Sequence, residues 1–566
     1  MHLRKQKKPN GRIYLSIVQS YRTPEGKTRS KTLWSLGYVD DLQQTHPDPI
    51  AHFQGVVDNL NSIHEEDQKP TVPVMLSPEA KIPFGTARTL EAGAAAVLSA
   101  LHRCLRLDSA LQAAGVDPAR LKKVSRLTEL LVWSRIAHPQ LIMDAWAQRS
   151  RIPGLADLTR NDVFKGVELL GGSSEGITPH INAALESWRS ETKNSRTFCL
   201  VSNFYIEESS WTHPEHNKRW DERKSPIVQA AIMVDGTGLP IDYCVSDSHL
   251  ASALSPLPTV QELAKRHPDE RLVVVTNKSI GTNTHELSAL LEDNFGFVFL
   301  QSMRKGLRAS REWVLDSTDY QTIGIDGSRY KERMSIRQLE DKQNSKCPSS
   351  IAVKEVAFWW REAFEYSRFD RFHIVKRNED VVAHGAPSDG SVRPMRAVRG
   401  FGDAKPGDIG DRVWHVYWDK ISADEAMDGF CNIITSELDL PANLVVNLYQ
   451  NLFFWRSFFK PPWGEWSTCP GSVPRDSYLH AHFLICYLAA CSIQLLLGGE
   501  HRFLSDSACL TLSRLTGREI SPGLFFFDYR SRLSDALAEA ANVDLSRQLV
   551  SATDLGRMMQ EARKEP

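Results

Sequence analysis

The sequence is poor in several features that would narrow its function at once. Its nine cysteines, at 104, 199, 244, 347, 431, 469, 486, 491 and 509, form no Cys-x-x-Cys pair. An odd, irregular set argues against a disulfide framework and against a zinc ribbon. With 33 glycines and 29 prolines in 566 residues, the chain is neither collagen-like nor of low complexity. Long apolar runs are missing too. The longest, 483–497, is interrupted by Ser492 and Gln494 and falls short of the ~20 residues a membrane span needs, so it reads as a buried helix. No apolar stretch follows the charges of the opening MHLRKQKKPNG, so no secretory signal is visible. A soluble, cytoplasmic protein without a membrane partner is expected. Net charge is nearly absent as well: 68 Lys and Arg stand against 69 Asp and Glu, for −1.

What is present is an ordinary globular composition, 42% apolar and 24% charged. At about 150 residues per domain the length predicts three to four structural units. The near-zero charge hides a dipole. Residues 1–39 contain Arg4, Lys5, Lys7, Lys8, Arg12, Arg22, Lys27, Arg29 and Lys31 against Glu25 alone, which is +8 and leaves −9 for the rest. Such a block can sit on phosphates. A solvated basic tail accounts for the charge equally well.

Residues 11–39 alternate at Ile13, Leu15 and Ile17, turn at Thr23-Pro24-Glu25-Gly26 and continue in a second β-prone run, which predicts a basic hairpin. The polar stretch 40–83 reads as a linker with at most one short helix. Residues 84–190 read as helical, with Leu90, Ala94, Val97, Leu98, Leu101 and Leu105 at helical spacing. Trp133 and Trp146 read as core. From about 196 the pattern becomes three strands, a helix and a fourth strand, a mixed α/β sheet. Residues 302–425, including VAFWWREAFEYSRFDRFHIV, read as β-prone material with many turns. After it come a strand in DGFCNIITS and two long helices, LPANLVVNLYQNLFFWRSFFK and HAHFLICYLAACSIQLLL. Residues 533–562 read as a surface helix.

Four local patterns together resemble the insertion-sequence transposases of the DDE type. They are the basic GRIYLSIVQSYR segment ending in LWSLGYV, and Arg135, Pro139 and Trp146 in the helical region. The others are Asp428-Gly429-Phe430 leading to Thr435, and the run His482 to Ala489. The resemblance implies an α/β fold with an RNase H-like core interrupted by a β-rich insertion, behind a basic β-hairpin region and a helical domain. The implied organisation is a basic β region and linker at 1–80, a helical DNA-binding domain at 81–190 and the first half of the core at 191–301. The insertion follows at 302–425, the second half of the core at 426–500 and a helical tail at 501–566.

The family joins DNA strands with Mg²⁺, held by two strand aspartates and one helical glutamate. Two-metal chemistry needs such carboxylates, because Mg²⁺ is a hard cation that binds oxygen. By resemblance the three positions fall on Leu200, Asn277 and Arg456. In the helical pattern only Tyr449 survives; its companions fall on Leu452, Arg456 and Trp463. The family's turn after the third strand is replaced by Ser248-His249-Leu250-Ala251-Ser252. Leucine offers no ligand atom, asparagine only a neutral carbonyl, and arginine a fixed positive charge. Glu207, Glu208, Asp235, Asp242, Asp247 and Glu465 are the nearby carboxylates that could substitute. Glu208 shares the face of Leu200 but is about 26 Å along an unbroken strand.

The expectation is a transposase-family DNA-binding protein that has lost catalysis and holds no metal productively. Its DNA contacts would come from Arg4, Lys5, Lys7, Lys8, Arg12, Lys27, Arg29 and Lys31, with a second patch at Arg304, Lys305, Arg308 and Arg311. Double-stranded DNA, with terminal inverted repeats by resemblance, and a homodimer are the implied partners. Two other functions stay open. One is an active metal-dependent transposase with displaced acids, which an uninterrupted 566-residue reading frame would suit. The other is a structural or interaction module on the same fold.

Overall fold

The computed structural model describes residues 1–22, 28–43, 46–67, 89–189, 196–205, 227–247, 255–276, 284–301, 303, 308–323, 327–339, 350–384, 402–406, 412–462, 465, 472–498 and 505–564. These divide into two compact units, residues 1–83 and 84–566, rather than the three or four the length predicts. The helical region, the sheet region and the C-terminal segment share one continuous core and do not separate.

Unit 1 is a three-stranded antiparallel sheet, β1 (His2–Lys7), β2 (Ile13–Arg22) and β3 (Thr28–Tyr38), in that order. The expected hairpin gains a strand, because the basic run at 2–7 pairs along β2 from His2↔Val18 to Lys7↔Ile13. The Thr23-Pro24-Glu25-Gly26 turn lies outside the described residues. The stretch read as a linker is largely a 19-residue helix, Pro49–Asp67, whose Val57 is buried. Asn61 of this helix donates to the Met1 carbonyl at 2.9 Å, so the helix clamps the start of β1.

Unit 2 opens with β4 (Thr89–Leu90) and a helical layer that includes Ala92–Leu98, Leu101–Cys104, Leu107–Ala113, Pro118–Ala137, Arg160–Gly172 and Ser174–Glu186. Then come β5 (Thr197–Tyr205), β6 (Ile227–Val234), β7 (Pro240–Asp247), β8 (Leu272–Thr276), β9 (Gly296–Gln301), β10 (Gln321–Thr322), β11 (Arg329–Gln338), β12 (Ser350–Trp359), β13 (Gly402–Pro406), β14 (Arg412–Val416) and β15 (Phe430–Thr435). Nine of these form one sheet in the order β10-β11-β12-β15-β9-β8-β5-β6-β7. β5, β8 and β9 run parallel, and the other pairings are antiparallel. Parallel centre strands are covered on both faces, which is why β8 reads Leu-Val-Val-Val-Thr and is buried throughout.

Residues 302–425 depart from expectation. β11 and β12 do not stand apart as an insertion; they extend the main sheet through β15. VAFWWREAFEYSRFDRFHIV is strand only to Trp359, and Arg361–His384 is a 24-residue helix. Its aromatics recur at Tyr366, Phe369 and Phe372, a helical spacing. Arg371 anchors it by ion pairs to the buried Asp424 and Asp428.

The helices Ala442–Phe459 and Arg475–Leu497 cover one face of β5 and β6. The second is 23 residues long and apolar enough to cross a membrane by length and composition, longer than its apolar run suggests. Its apolar window is 94% buried inside the protein, which accounts for its hydropathy as a core helix. The C-terminal segment is not a helical tail. β16 (Gly517–Ser521), β17 (Leu524–Phe527) and β18 (Leu549–Ser551) join β4 in a four-stranded sheet. The expected helix over 533–562 is two, Arg532–Ala540 and Ala552–Arg563, separated by β18.

Candidate functional site

Side chains on β5 alternate between the two faces of the sheet. Cys199 and Val201 join the helix Leu257–Arg266 in one core. Phe198, Leu200 and Phe204 join the other, with Val445, Leu452 and Phe459. On that second face lies a small cleft. Leu200, Ser202 and Phe204 of β5 and Ala230 and Ile232 of β6 form its floor. Leu452, Trp455, Arg456 and Phe459 form its wall. Leu200 and Arg456, 256 positions apart, therefore line one space.

Asn277 lies outside the described residues. Its neighbour Thr276 ends β8 and pairs in register with Val201, one position past Leu200↔Val275. The 248–252 segment, Glu207, Glu208 and Trp463 are also outside the described residues.

The chemistry of the cleft follows from its lining. Leu200 is buried, Trp455 and Phe459 are buried, and Arg456 is exposed at the rim. Arg456 makes no ion pair among the described residues. Solvent has about 10 Å³ here, room for a single water at most and not for a pair of hydrated cations. No carboxylate lines the cleft among the described residues, and none of them form a group of three His, Cys, Asp or Glu able to hold a metal. The residues described do not fit Mg²⁺.

The described carboxylates that could substitute sit elsewhere in the fold. Asp235 is buried in a turn, where its Oδ1 accepts from the Thr237 and Leu239 amides at 2.8 and 2.9 Å. Asp242 is buried against His267, 3.0 Å away. Asp247 ends β7. Glu465 is buried and accepts from the Tyr478 hydroxyl at 2.5 Å. Burial raises its pKa to about 7, although that hydrogen bond works the other way.

In unit 1 the strand register sorts the basic side chains. Lys7, Lys5, Lys31 and Arg29 face Ile13, Leu15, Gln19 and Tyr21 of β2, alternate positions that share one side of the sheet. All four are exposed. Arg4 pairs across from Ser16, on the other side, and donates to Ser30 at 3.0 Å. Lys8 stacks on the Tyr14 ring at 5.2 Å. Arg12 is committed within the fold. It pairs with Asp40 at 2.9 Å and with Asp41, and lies over the Tyr38 ring at 4.4 Å. Lys27 is outside the described residues. Unit 1 as a whole carries 11 Lys and Arg against 9 Asp and Glu, a net +2, because acids begin where the basic block ends.

Of the second patch, only Arg308 and Arg311 lie among the described residues. Arg304 and Lys305 lie outside the described residues. Arg308 pairs with Glu312 one helical turn on at 2.7 Å, and Arg311 is half-buried on the same helix, Arg308–Leu315.

One buried charge cluster escaped the sequence reading. Glu129, on Pro118–Ala137, accepts from Arg563 Nη2 at 2.8 and 2.7 Å and from Ser99 Oγ at 3.4 Å, with His102 Nε2 3.6 Å away. Glu129 and Arg563 are 434 positions apart, so no local pattern could announce the cluster.

Comparison with known proteins adds one match. Residues 3–71 match the family described as IS1634 family transposase, N-terminal domain. The match lies within unit 1 and supports an insertion-sequence transposase, with a transposase-like function and DNA as partner. No curated protein and no solved structure matches the chain.

Proposed function

We propose that the chain is a DNA-binding relative of the DDE transposases in which the catalytic cleft has lost its metal ligands. The observation that carries this reading is the cleft where Leu200 and Arg456 meet without a carboxylate among the described residues. The sheet order around it supports an RNase H-like core. Three strands run β7-β6-β5 with antiparallel pairing, then β8 and β9 add in parallel beside β5.

At neutral pH Arg456 brings a permanent positive charge to the rim. Two like charges at ~4 Å repel by about 1 kcal/mol in water and several-fold more near a protein surface. Leu200 adds no ligand atom beside it. The same charge favours a phosphate backbone. Lys5, Lys7, Arg29 and Lys31 on one side of the β1–β3 sheet are a second source of phosphate contacts, by displacement of counterions. By the family resemblance the DNA would be a terminal inverted repeat, held by two copies of the chain.

The test compares binding and cleavage on one duplex carrying a candidate terminal repeat. Expected are salt-sensitive binding, weaker binding by Arg456→Glu, and no strand nicking with Mg²⁺ or Mn²⁺. Metal-dependent nicking would overturn the loss of catalysis. Absence of duplex binding at low salt would overturn the DNA-binding reading and leave an interaction module.

A further inference from the structure

Away from the cleft, unit 2 has a cavity of about 390 Å³ beside the buried Glu129–Arg563 pair. Its walls come from the helical layer and from the last helix, Ala552–Arg563. The cavity is lined by five basic side chains, His102, Arg106, Lys122, Arg126 and Arg563, and by two carboxylates, Asp108 and Glu129.

Which of these charges are already committed decides what the cavity can take. Glu129 is held by Arg563, as described. Asp108 Oδ1 lies 3.6 Å from His102 Nδ1. Burial works against a charged His102, but Asp108 and Glu129 outweigh it and lift its pKa to about 9, so the ring is an imidazolium at neutral pH. Both carboxylates thus face cations of their own. Arg126 is paired with Asp157, which does not line the cavity. That leaves Arg106 and Lys122, both exposed and neither in an ion pair among the described residues. The Ser109 hydroxyl lines the same space, while the Ser125 hydroxyl lies 3.4 Å from His102 Nδ1 and belongs to the ion cluster. The uncommitted groups among the described residues are therefore two cations and the Ser109 hydroxyl.

We infer that this cavity binds a phosphate group, with Arg106 and Lys122 as its charged contacts. A guanidinium offers paired donors to phosphate oxygens, an ammonium a compact charge, and the Ser109 hydroxyl adds a donor to such a shell. The buried ion cluster behind them fixes the wall on which the two cations stand. Two sources supply the group: a small phosphorylated molecule or the backbone of a duplex. In the second case the inference rests on the DNA-binding reading given above.

The experiment uses the full chain and two probes, inorganic pyrophosphate by calorimetry and a fluorescent 20-base-pair duplex by anisotropy at two salt concentrations. The site variant is Arg106→Glu with Lys122→Glu. The control is Arg120→Glu, an exposed arginine on the same helix that does not line the cavity. Wild-type protein is expected to bind pyrophosphate, and the double variant to bind it at least about tenfold more weakly, with the control within about twofold. If duplex affinity also falls about tenfold and its salt dependence becomes shallower by about two phosphate contacts, the source is a nucleic-acid backbone. If duplex binding is unchanged, the source is a small phosphorylated ligand. The inference is overturned if wild type binds no pyrophosphate and the double variant binds duplex as wild type does, or if the control weakens binding as much as the site variant. Lys5→Glu with Lys7→Glu tests the unit 1 reading separately, since neither residue lines the cavity.

Discussion

Individual residues show how far chemistry can be read from identity and where neighbours take over. Leu200 and Arg456 cannot ligate a metal in any environment, so that much was legible from the sequence alone. Glu465 was not. As a letter it is a candidate carboxylate; in the fold it is a buried acid hydrogen-bonded to Tyr478, with a pKa near 7. A carboxyl whose folded pKa is raised favours the folded state below its ordinary value near 4.5. That contribution is lost as pH rises through about 7, because the unfolded chain ionises first. Glu465→Gln should therefore leave the melting temperature nearly unchanged at pH 5 and raise it at pH 8. Thermal melts at the two pH values check this, and an equal shift at both would contradict it. Arg12 teaches the converse: counted as a DNA contact by its charge, it is spent on Asp40, Asp41 and Tyr38.

Among elements, the helix Arg475–Leu497 organises unit 2, and its closest neighbour is Arg160–Gly172. The approach depends on Gly171. A Cβ there would sit 1.7 Å from the Ser477 carbonyl oxygen, a backbone atom that cannot swing aside. Gly172 is different, since its nearest contact would be Ser477 Oγ at 4.0 Å. Gly171→Ala is expected to destabilise by about 3 kcal/mol or more through overpacking. Gly172→Ala should stay within about 1 kcal/mol. Urea titrations of the pair test the helix contact, and equal effects would refute it. Element types were mostly readable from periodicity, with two instructive failures. Arg361–His384 reads as β material from its aromatics, which are common in strands, although their three-residue spacing is helical. The C-terminal strands were missed because β16, β17 and β18 are at most five residues long and β16 takes its partner β4 from more than 400 positions away.

On the scale of the whole molecule, His102, Glu129 and Arg563 join the start of unit 2 to its last helix. Removing Arg563 leaves Glu129 buried with His102 as its cation and the Ser99 hydroxyl as a weak donor. Arg563→Ala should cost about 2–3 kcal/mol, below the full value for a buried pair because Arg563 is partly exposed and His102 remains. The melting temperature of the full chain measures it, and an unchanged value would show the cluster to be incidental. The histidine adds a pH dependence of definite sign. Its folded pKa, about 9, lies above its ordinary 6.5. The stability it contributes is complete below about pH 6.5 and is lost as pH rises through 9. His102→Gln should flatten the fall in stability over that window; an unaltered slope would exclude the assignment.

The sequence by itself determined the alternating β pattern of unit 1, the helical layer, the β-branched centre of the sheet and the chemical poverty of Leu200 and Arg456. Each is a local property, carried by side-chain type or by a period of a few residues. Only the tertiary structure decided which distant residues meet. It joined β11 and β12 to the main sheet, sorted the basic residues of β1–β3 between two faces, and brought Glu129 to Arg563. It also decided which charges remain available, because a charge is spent or free according to its neighbours in space. A net charge of −1 could not reveal that Arg12 is paired while Arg106 and Lys122 face a cavity without an ion partner among the described residues.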